Sequence, residues 1–174
     1  ARGENQSVCA AEHVYAQLAK QCGLNMPDTQ FFDLGSGYGA FGVKRFDRDN
    51  GMRIHVHTLA GLLNTNFRLP TLSYTQLLRC IRALTHSELE VIQGYRQCVF
   101  NVVFHNRDDH SKNFSFMMDS VGNWALSPAY DLSFNTGLNG EHNMDIMGEG
   151  KNIKLKRKSL SWDIFLVSGY ACLV

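Results

Sequence analysis

The sequence predicts an α+β fold with a small β element near the N-terminus and a larger, mainly helical C-terminal lobe. Three observations lead there. Apolar residues recur at helical spacing over 7–22, 74–84 and 88–104, while short apolar runs bounded by glycine or turn residues occupy 29–34 and 41–46. The chain has 174 residues, 44% of them apolar, which is one domain's worth and enough to bury a core. No repeat or low-complexity linker divides it, so a single domain over 1–174 is expected, with a helix and short strands in 1–48 and a helical lobe in 49–174.

The first helix runs from about Ser7 to Cys22 and stops at Gly23, a residue that tolerates the left-handed conformation closing many helices. Strands 29–34 and 41–46 come next, joined by a glycine-rich hairpin turn. That turn contains Gly37-Tyr38-Gly39-Ala40-Phe41-Gly42, a literal G-x-G-x-x-G followed by Val43 and Lys44. Spacing argues against a nucleotide loop here: a kinase lysine lies on the strand after its glycine hairpin, and a dinucleotide site opens a helix. Beyond a turn at 47–52, Leu59 to Leu63 has helical character, Pro70 breaks the chain, and Ser73 suits the N-cap of a helix over 74–84. Ser87 with Glu90 makes a capping box that opens a long helix, Glu88 to Phe104. The end of that helix, Val99-Phe100-Asn101-Val102-Val103-Phe104, is apolar nearly all round and is expected to be buried. His55 and His57 alternate, so on a strand they share a face, although a metal would need a third ligand.

The long helix delivers the most informative stretch, Arg107-Asp108-Asp109-His110-Ser111-Lys112-Asn113. An aspartate followed five residues later by an asparagine is the spacing of a protein-kinase catalytic loop, so the fold is expected to be protein-kinase-like. A candidate strand (113–118), a turn (119–123) and a second strand (124–126) lead into Pro128-Ala129-Tyr130-Asp131. This hairpin folds Asp131 back toward Asp108 and Asn113. Phosphoryl transfer needs an acceptor hydroxyl aimed at the γ-phosphate and hard cations on the phosphate oxygens. Asp108 would accept or orient the hydroxyl proton, Asn113 and Asp131 would supply the oxygen ligands magnesium prefers, and Lys112 would add a point charge. The plain alternative is a polar surface turn, because Asp, His, Ser and Asn are ordinary loop residues. A metal-dependent hydrolase is another: Asp108, Asp109, His110 and Asp131 combine imidazole and carboxylate groups that suit zinc, iron or manganese and could activate water. It leaves Lys112 and Asn113 without a task. A third alternative is a catalytically incompetent module that keeps Asp108, Asn113 and Asp131 for nucleotide binding alone.

Asn106-Arg-Asp-Asp-His-Ser-Lys-Asn-Phe-Ser115, with Leu126-Ser-Pro-Ala-Tyr-Asp-Leu132 after it, resembles the HipA family of bacterial toxin kinases. Their loop reads Asp-x-His-x-Lys-Asn, and their metal aspartate comes after Pro-x-Tyr. Val43-Lys44-Arg45-Phe46-Asp47-Arg48 resembles the family's hinge, usually Glu-Arg-Phe-Asp-Arg, and Arg53-Ile54-His55 with Leu59-Ala60 resembles the segment C-terminal to that hinge. The resemblance covers about Glu12 to Gly150. It implies Asp108 as proton acceptor, His110, Ser111, Lys112 and Asn113 as ATP contacts, Asp131 as metal ligand, and Lys44, Arg45 and Phe46 along the adenine edge. Lys44 departs from the usual glutamate. Glu12 falls where the family carries the helix glutamate that pairs with a phosphate-binding lysine; the alternative is an exposed helix glutamate. No such lysine precedes Glu12, so the chain is expected to be a fragment truncated at both ends. The resemblance further implies serine/threonine kinase activity with ATP and magnesium, a DNA-binding antitoxin partner, and an aminoacyl-tRNA synthetase, the glutamyl enzyme, as substrate class.

Seventeen Lys and Arg against sixteen Asp and Glu give a net charge of +1, which supplies no global pull toward nucleic acid or anionic membrane. Neither direct nucleic-acid binding nor membrane association is expected. Cys9, Cys22, Cys80, Cys98 and Cys172 show no short paired spacing, which disfavours a zinc cluster and a disulfide scaffold and points to a reducing cytoplasm. Near the end, the basic run Lys151 to Lys158 reads as a solvated loop or a contact for phosphate or acidic protein. The apolar segment from Ser161 to Val174 is too short to cross a bilayer and reads as the start of a core helix.

Overall fold

The structure, a computed structural model, describes residues 4–65, 72–148 and 150–152. Along these the chain forms β1 (Glu4–Asn5), α1 (Gln6–Gln21), β2 (Thr29–Gly35), β3 (Tyr38–Val43), β4 (Arg48–Asp49), β5 (Met52–Arg53), β6 (His55–Thr58) and α2 (Leu59–Leu62). Then come α3 (Tyr74–Thr85), α4 (Glu88–Val103), β7 (Ser115–Met118), β8 (Trp124–Leu126) and a single 3-10 turn at Leu138–Gly140. Strands are not confined to the N-terminal part: β6, β7 and β8 form an antiparallel sheet in the order β6-β7-β8. Helices and sheets are thus mixed beyond residue 49. Pro70, the basic run from Ile153 on and the apolar segment from Ser161 lie outside the described residues.

Local chemistry sets the helix ends. Asn5 caps α1 by accepting from the Ser7 amide, and Gly23 takes φ 76 just past its C-cap. Ser73 and Gln76 form a reciprocal capping box at α3. At α4 only half of the expected box is made. Ser87 Oγ accepts from the Glu90 amide, but the Glu90 carboxylate turns away to accept from the Leu126 amide. The reason is a competing donor at a sheet edge, and the result ties α4 to β8.

The hairpin of β2 and β3 is longer on its glycine side than the sequence suggests. Its turn is at Ser36-Gly37, both with positive φ, and pairing begins at Gly35 with Tyr38 rather than at Phe41. Gly39 and Gly42 therefore lie within the ladder. A Cβ at Gly39 would fall 2.9 Å from the Phe31 ring, so the aromatic side chains of β2 occupy the space a side chain would need. Apart from its first glycine, Gly37, the G-x-G-x-x-G is a strand packed beneath phenylalanines. A second hairpin, β4 and β5, turns at Asn50-Gly51 with φ of 47° and 82°, as a two-residue loop of this composition favours.

Two apolar clusters hold these parts. One joins α2, α3, α4 and the β6-β7-β8 sheet through Leu59, Tyr74, Leu77, Ile81, Cys98 and Phe116. The other joins α1 to the end of α4 and to the segment after β8, through Ala19, Leu24, Phe100, Ala129 and Leu132. Burial of the α4 end is partial, since Phe100 and Asn101 are buried while Val103 is exposed. A continuous face of α4 packs; its far side meets solvent. Both clusters converge on the loop after α4.

Candidate active site

The chain leaves α4 at Phe104 and turns through His105, which has φ 55. Buried amides then anchor the loop: the Asn106 amide donates to Asn101 O (2.9 Å), and Asn106 Nδ2 donates to Asn101 Oδ1 (2.9 Å). A rigid helix end thereby fixes where the polar loop starts.

Adjacent aspartates then part ways. The Asp108 side chain is 47% exposed, whereas Asp109 is fully buried. Asp109 accepts from the Tyr74 hydroxyl, lies 2.9 Å from His142 Nδ1, and accepts from the Asn143 amide (2.7 Å). Asn101 Nδ2 in turn reaches the Tyr74 hydroxyl at 3.4 Å. Burial, and next the neighbouring Asp109 carboxylate, push the Tyr74 phenol well above its usual value. The hydrolase alternative placed Asp109 with Asp108, His110 and Asp131 around a transition metal. Turned into the core and engaged by three partners, the Asp109 carboxylate is directed away from such a site. Among the described residues no three His, Cys, Asp or Glu side chains are grouped to hold a metal.

Several expected site residues do meet. Asn113 Nδ2 donates to the Asp108 carbonyl (2.8 Å), which closes the loop and commits the amide nitrogen, so that Oδ1 is the end of Asn113 suited to a cation. His110 Nε2 lies 3.8 Å from Asp108 Oδ1. Ser111 is buried, its carbonyl accepting from the Ala60 amide of α2 (3.1 Å). Lys112 is exposed, and its carbonyl accepts from the Tyr130 hydroxyl. Tyr130 also bonds Ser115 Oγ, and burial raises its phenol pKa.

Tyr130 is the joint between segments. Phe46 packs against it with ring centroids 5.6 Å apart, so the segment after β3 meets the loop after α4 through two rings. On either side of Tyr130 and Asp131, Ala129 and Leu132 are buried, and the Ala129 amide donates to Asn25 O (2.7 Å). Asp131 itself is exposed with φ 56, a left-handed conformation that aspartate tolerates better than most residues. Buried neighbours hold it there, an arrangement common at functional sites.

Other expected residues are less directly placed. Lys44 is exposed and its amide donates to Asp28 O (2.8 Å). Arg45 is exposed and makes two hydrogen bonds to Asp47, 2.8 and 2.6 Å, so its guanidinium serves the turn. That contact, with Arg48 adding charge, holds the Asp47 carboxyl down at about 2. Glu12 sits half-buried in the middle of α1. His55 and His57 share a face of β6 as expected, but His55 packs edge-on to Trp124 and His57 Nδ1 lies 3.3 Å from the Thr58 carbonyl.

One part of the site gave no sequence signal at all. Asn143 Nδ2 donates to Arg107 O (3.0 Å) and Asp108 Oδ1 (3.3 Å), while its amide serves Asp109. With His142 on Asp109, residues 142–143 clamp the loop from 33 to 36 positions away. A His-Asn pair in a polar loop has no periodicity or motif to betray it.

Comparison with known proteins bears on the family and the fold. The model of the HipA-like C-terminal domain matches residues 3–166. "Putative kinase Y4dM" of Sinorhizobium fredii is 28% identical over 134 residues, 70% of this chain and 32% of that protein. A "Putative kinase" of Haemophilus influenzae is 26% identical over 137 residues, 70% of this chain and 39% of that protein. The chain thus spans 32% and 39% of the length of these two relatives. Among solved structures, Shewanella oneidensis HipA, determined with HipB and operator DNA, aligns with TM-score 0.68 and 23% identity over 79% of this chain and 38% of that one. The Helicobacter pylori proinflammatory kinase CtkA aligns with TM-score 0.62 and 15% identity over 85% of this chain and 62% of that one. A kinase-like fold follows from both, and residues 3–166, matched by the family model, contain every site residue described above. The chain belongs to the HipA-like C-terminal domain family.

Proposed function

We propose that this chain carries the catalytic loop of an ATP- and magnesium-dependent serine/threonine protein kinase, a HipA-like toxin that transfers the γ-phosphate to a protein hydroxyl. One observation carries the reading: the Tyr130 hydroxyl on Lys112 O, with Phe46 against the Tyr130 ring, gathers hinge, loop and acidic segment at one place. Asp108, exposed and oriented, takes or aims the hydroxyl proton. His110, Ser111, Lys112 and Asn113 contact the nucleotide, and Lys44, Arg45 and Phe46 line its adenine edge. With the Arg45 side chain on Asp47, that segment offers backbone groups and the Phe46 ring.

Asn113 Oδ1 and the Asp131 carboxylate are hard oxygen donors, too few to cage a metal alone, and suit an ion that also takes phosphate oxygens and water. Bound magnesium would neutralise charge on the phosphates. Glu12, on α1, is assigned to pair with a phosphate-binding lysine. A protein substrate of the aminoacyl-tRNA synthetase class, such as the glutamyl enzyme, and a DNA-binding antitoxin partner complete the proposal. So does a cytoplasmic location; no described helix is long and apolar enough to cross a membrane.

The test is transfer of labelled γ-phosphate by the full-length protein and its Asp108→Asn variant. Asn preserves size but cannot take the proton, so transfer should fall by about 10²-fold or more, with the melting temperature unchanged. Wild-type rates in the variant would remove Asp108 from the mechanism.

A further inference from the structure

We propose that Asn143 is a positioning residue for phosphoryl transfer, acting through Asp108; this rests on the kinase reading above. Three contacts converge on it. Nδ2 donates to Asp108 Oδ1 at 3.3 Å and to the Arg107 carbonyl at 3.0 Å, and the backbone amide donates to Asp109 Oδ1 at 2.7 Å. One residue thus touches three consecutive residues of the loop.

The contact with Asp108 differs in kind from the other two. A carboxylate that is half exposed can rotate about χ2, and either oxygen can then face an incoming hydroxyl. A donor on Oδ1, with His110 Nε2 3.8 Å from the same oxygen, restricts that rotation. Oδ2 is left as the oxygen presented to substrate. Proton transfer requires an acceptor within hydrogen-bond reach and alignment of the hydroxyl, so holding one rotamer raises the productive fraction without adding any contact to nucleotide.

Asn143 itself is held from behind. The Asn143 amide and His142 Nδ1 both meet the buried Asp109 carboxylate, and the neighbouring Met144 is buried in the core that includes Tyr74 and Phe114. Backbone and neighbours therefore stay in place when the Asn143 side chain is altered. Side-chain removal isolates the Asp108 and Arg107 contacts.

The experiment measures kcat, ATP affinity and the melting curve for the full-length wild type, Asp108→Asn, Asn143→Ala and the isosteric Asn143→Asp. In Asn143→Ala, kcat should fall about 10- to 100-fold while ATP affinity stays within about twofold. Asn143→Asp places a second carboxylate against Asp108 and should lower kcat further than alanine does. Either variant retaining the wild-type kcat overturns the proposal. So does a loss of kcat matched by an equal loss of ATP affinity or by unfolding, because that is the mark of a loop staple only. If wild type shows no transfer that depends on Asp108, the kinase reading fails first, a result the Asn143 variants cannot produce.

Discussion

Asp109→Ala should destabilise the protein strongly, while the same change one residue earlier should barely register. Asp109 is fully buried and its carboxylate receives the Tyr74 hydroxyl, His142 Nδ1 and the Asn143 amide. Alanine removes the acceptor of all three, leaving Tyr74 only its contact from Asn101 Nδ2, and each orphaned buried polar group costs about 1–3 kcal/mol. Part is offset because a buried carboxyl no longer has to be desolvated, so the net loss should be about 3–5 kcal/mol, the range for breaking a buried charged network. For a domain of this size that corresponds to a fall in melting temperature of about 6–20 °C. Asp109→Asn keeps the shape and one acceptor, and should cost about 1–2 kcal/mol, since tyrosine and histidine can each swap donor for acceptor. Asp108→Ala, at a half-exposed position, should stay within about 0.5 kcal/mol of wild type. Thermal and urea unfolding monitored by circular dichroism separate these cases. If Asp109→Ala melts no lower than Asp108→Ala, the division of labour between the two aspartates is wrong.

Three further outcomes are expected. Asp131→Ala should abolish the magnesium dependence of nucleotide binding; titrations that match wild type would strip that residue of its ligand role. Gly137→Ala should cost several kcal/mol and disturb the loop, about 2–4 kcal/mol on the scale of severe backbone substitutions. At φ 70 its Cβ would collide with the Glu141 carbonyl oxygen and the Arg107 side chain, and a variant as stable as wild type would contradict that packing. The Tyr74 phenol pKa is raised by burial, so folded protein keeps that proton when unfolded chain has lost it. Its contribution is then complete below about pH 10 and declines above it, so stability should fall more steeply with alkaline pH in wild type than in Tyr74→Phe.

Short-range signals were readable in this sequence because their causes are local. Helix starts at Ser73 and Ser87 arise from side chains that reach an amide three residues on. The hairpin of β7 and β8 arises from Asp119, whose carboxylate gathers the amides of Val121 and Asn123 at the turn. Glu90 shows the limit of such rules. Its spacing from Ser87 satisfies the capping box, yet the Leu126 amide from a distant strand takes its carboxylate. The hairpin of β2 and β3 erred in the other direction, since the glycines that suggested a turn are accommodated in a strand by Phe31 and Phe32 of its partner.

The two aspartates show why a loop motif specifies chemistry better than geometry. Positions 108 and 109 carry the same side chain, and spacing to Asn113 selects the first for the proposed catalytic role. What makes the second unavailable is supplied by Tyr74, His142 and Asn143, 33 to 35 residues away on either side, none of which belongs to the motif. A buried carboxylate with three partners is a costly way to build a surface turn, and a surface turn has no use for it. It becomes intelligible as the foundation for the residue next to it: Asp109 fixes the backbone and holds Asn143, and Asn143 reaches across to Asp108. On the proposed mechanism, rigidity one residue away would let a half-exposed carboxylate keep a single orientation without being buried, as a proton acceptor requires.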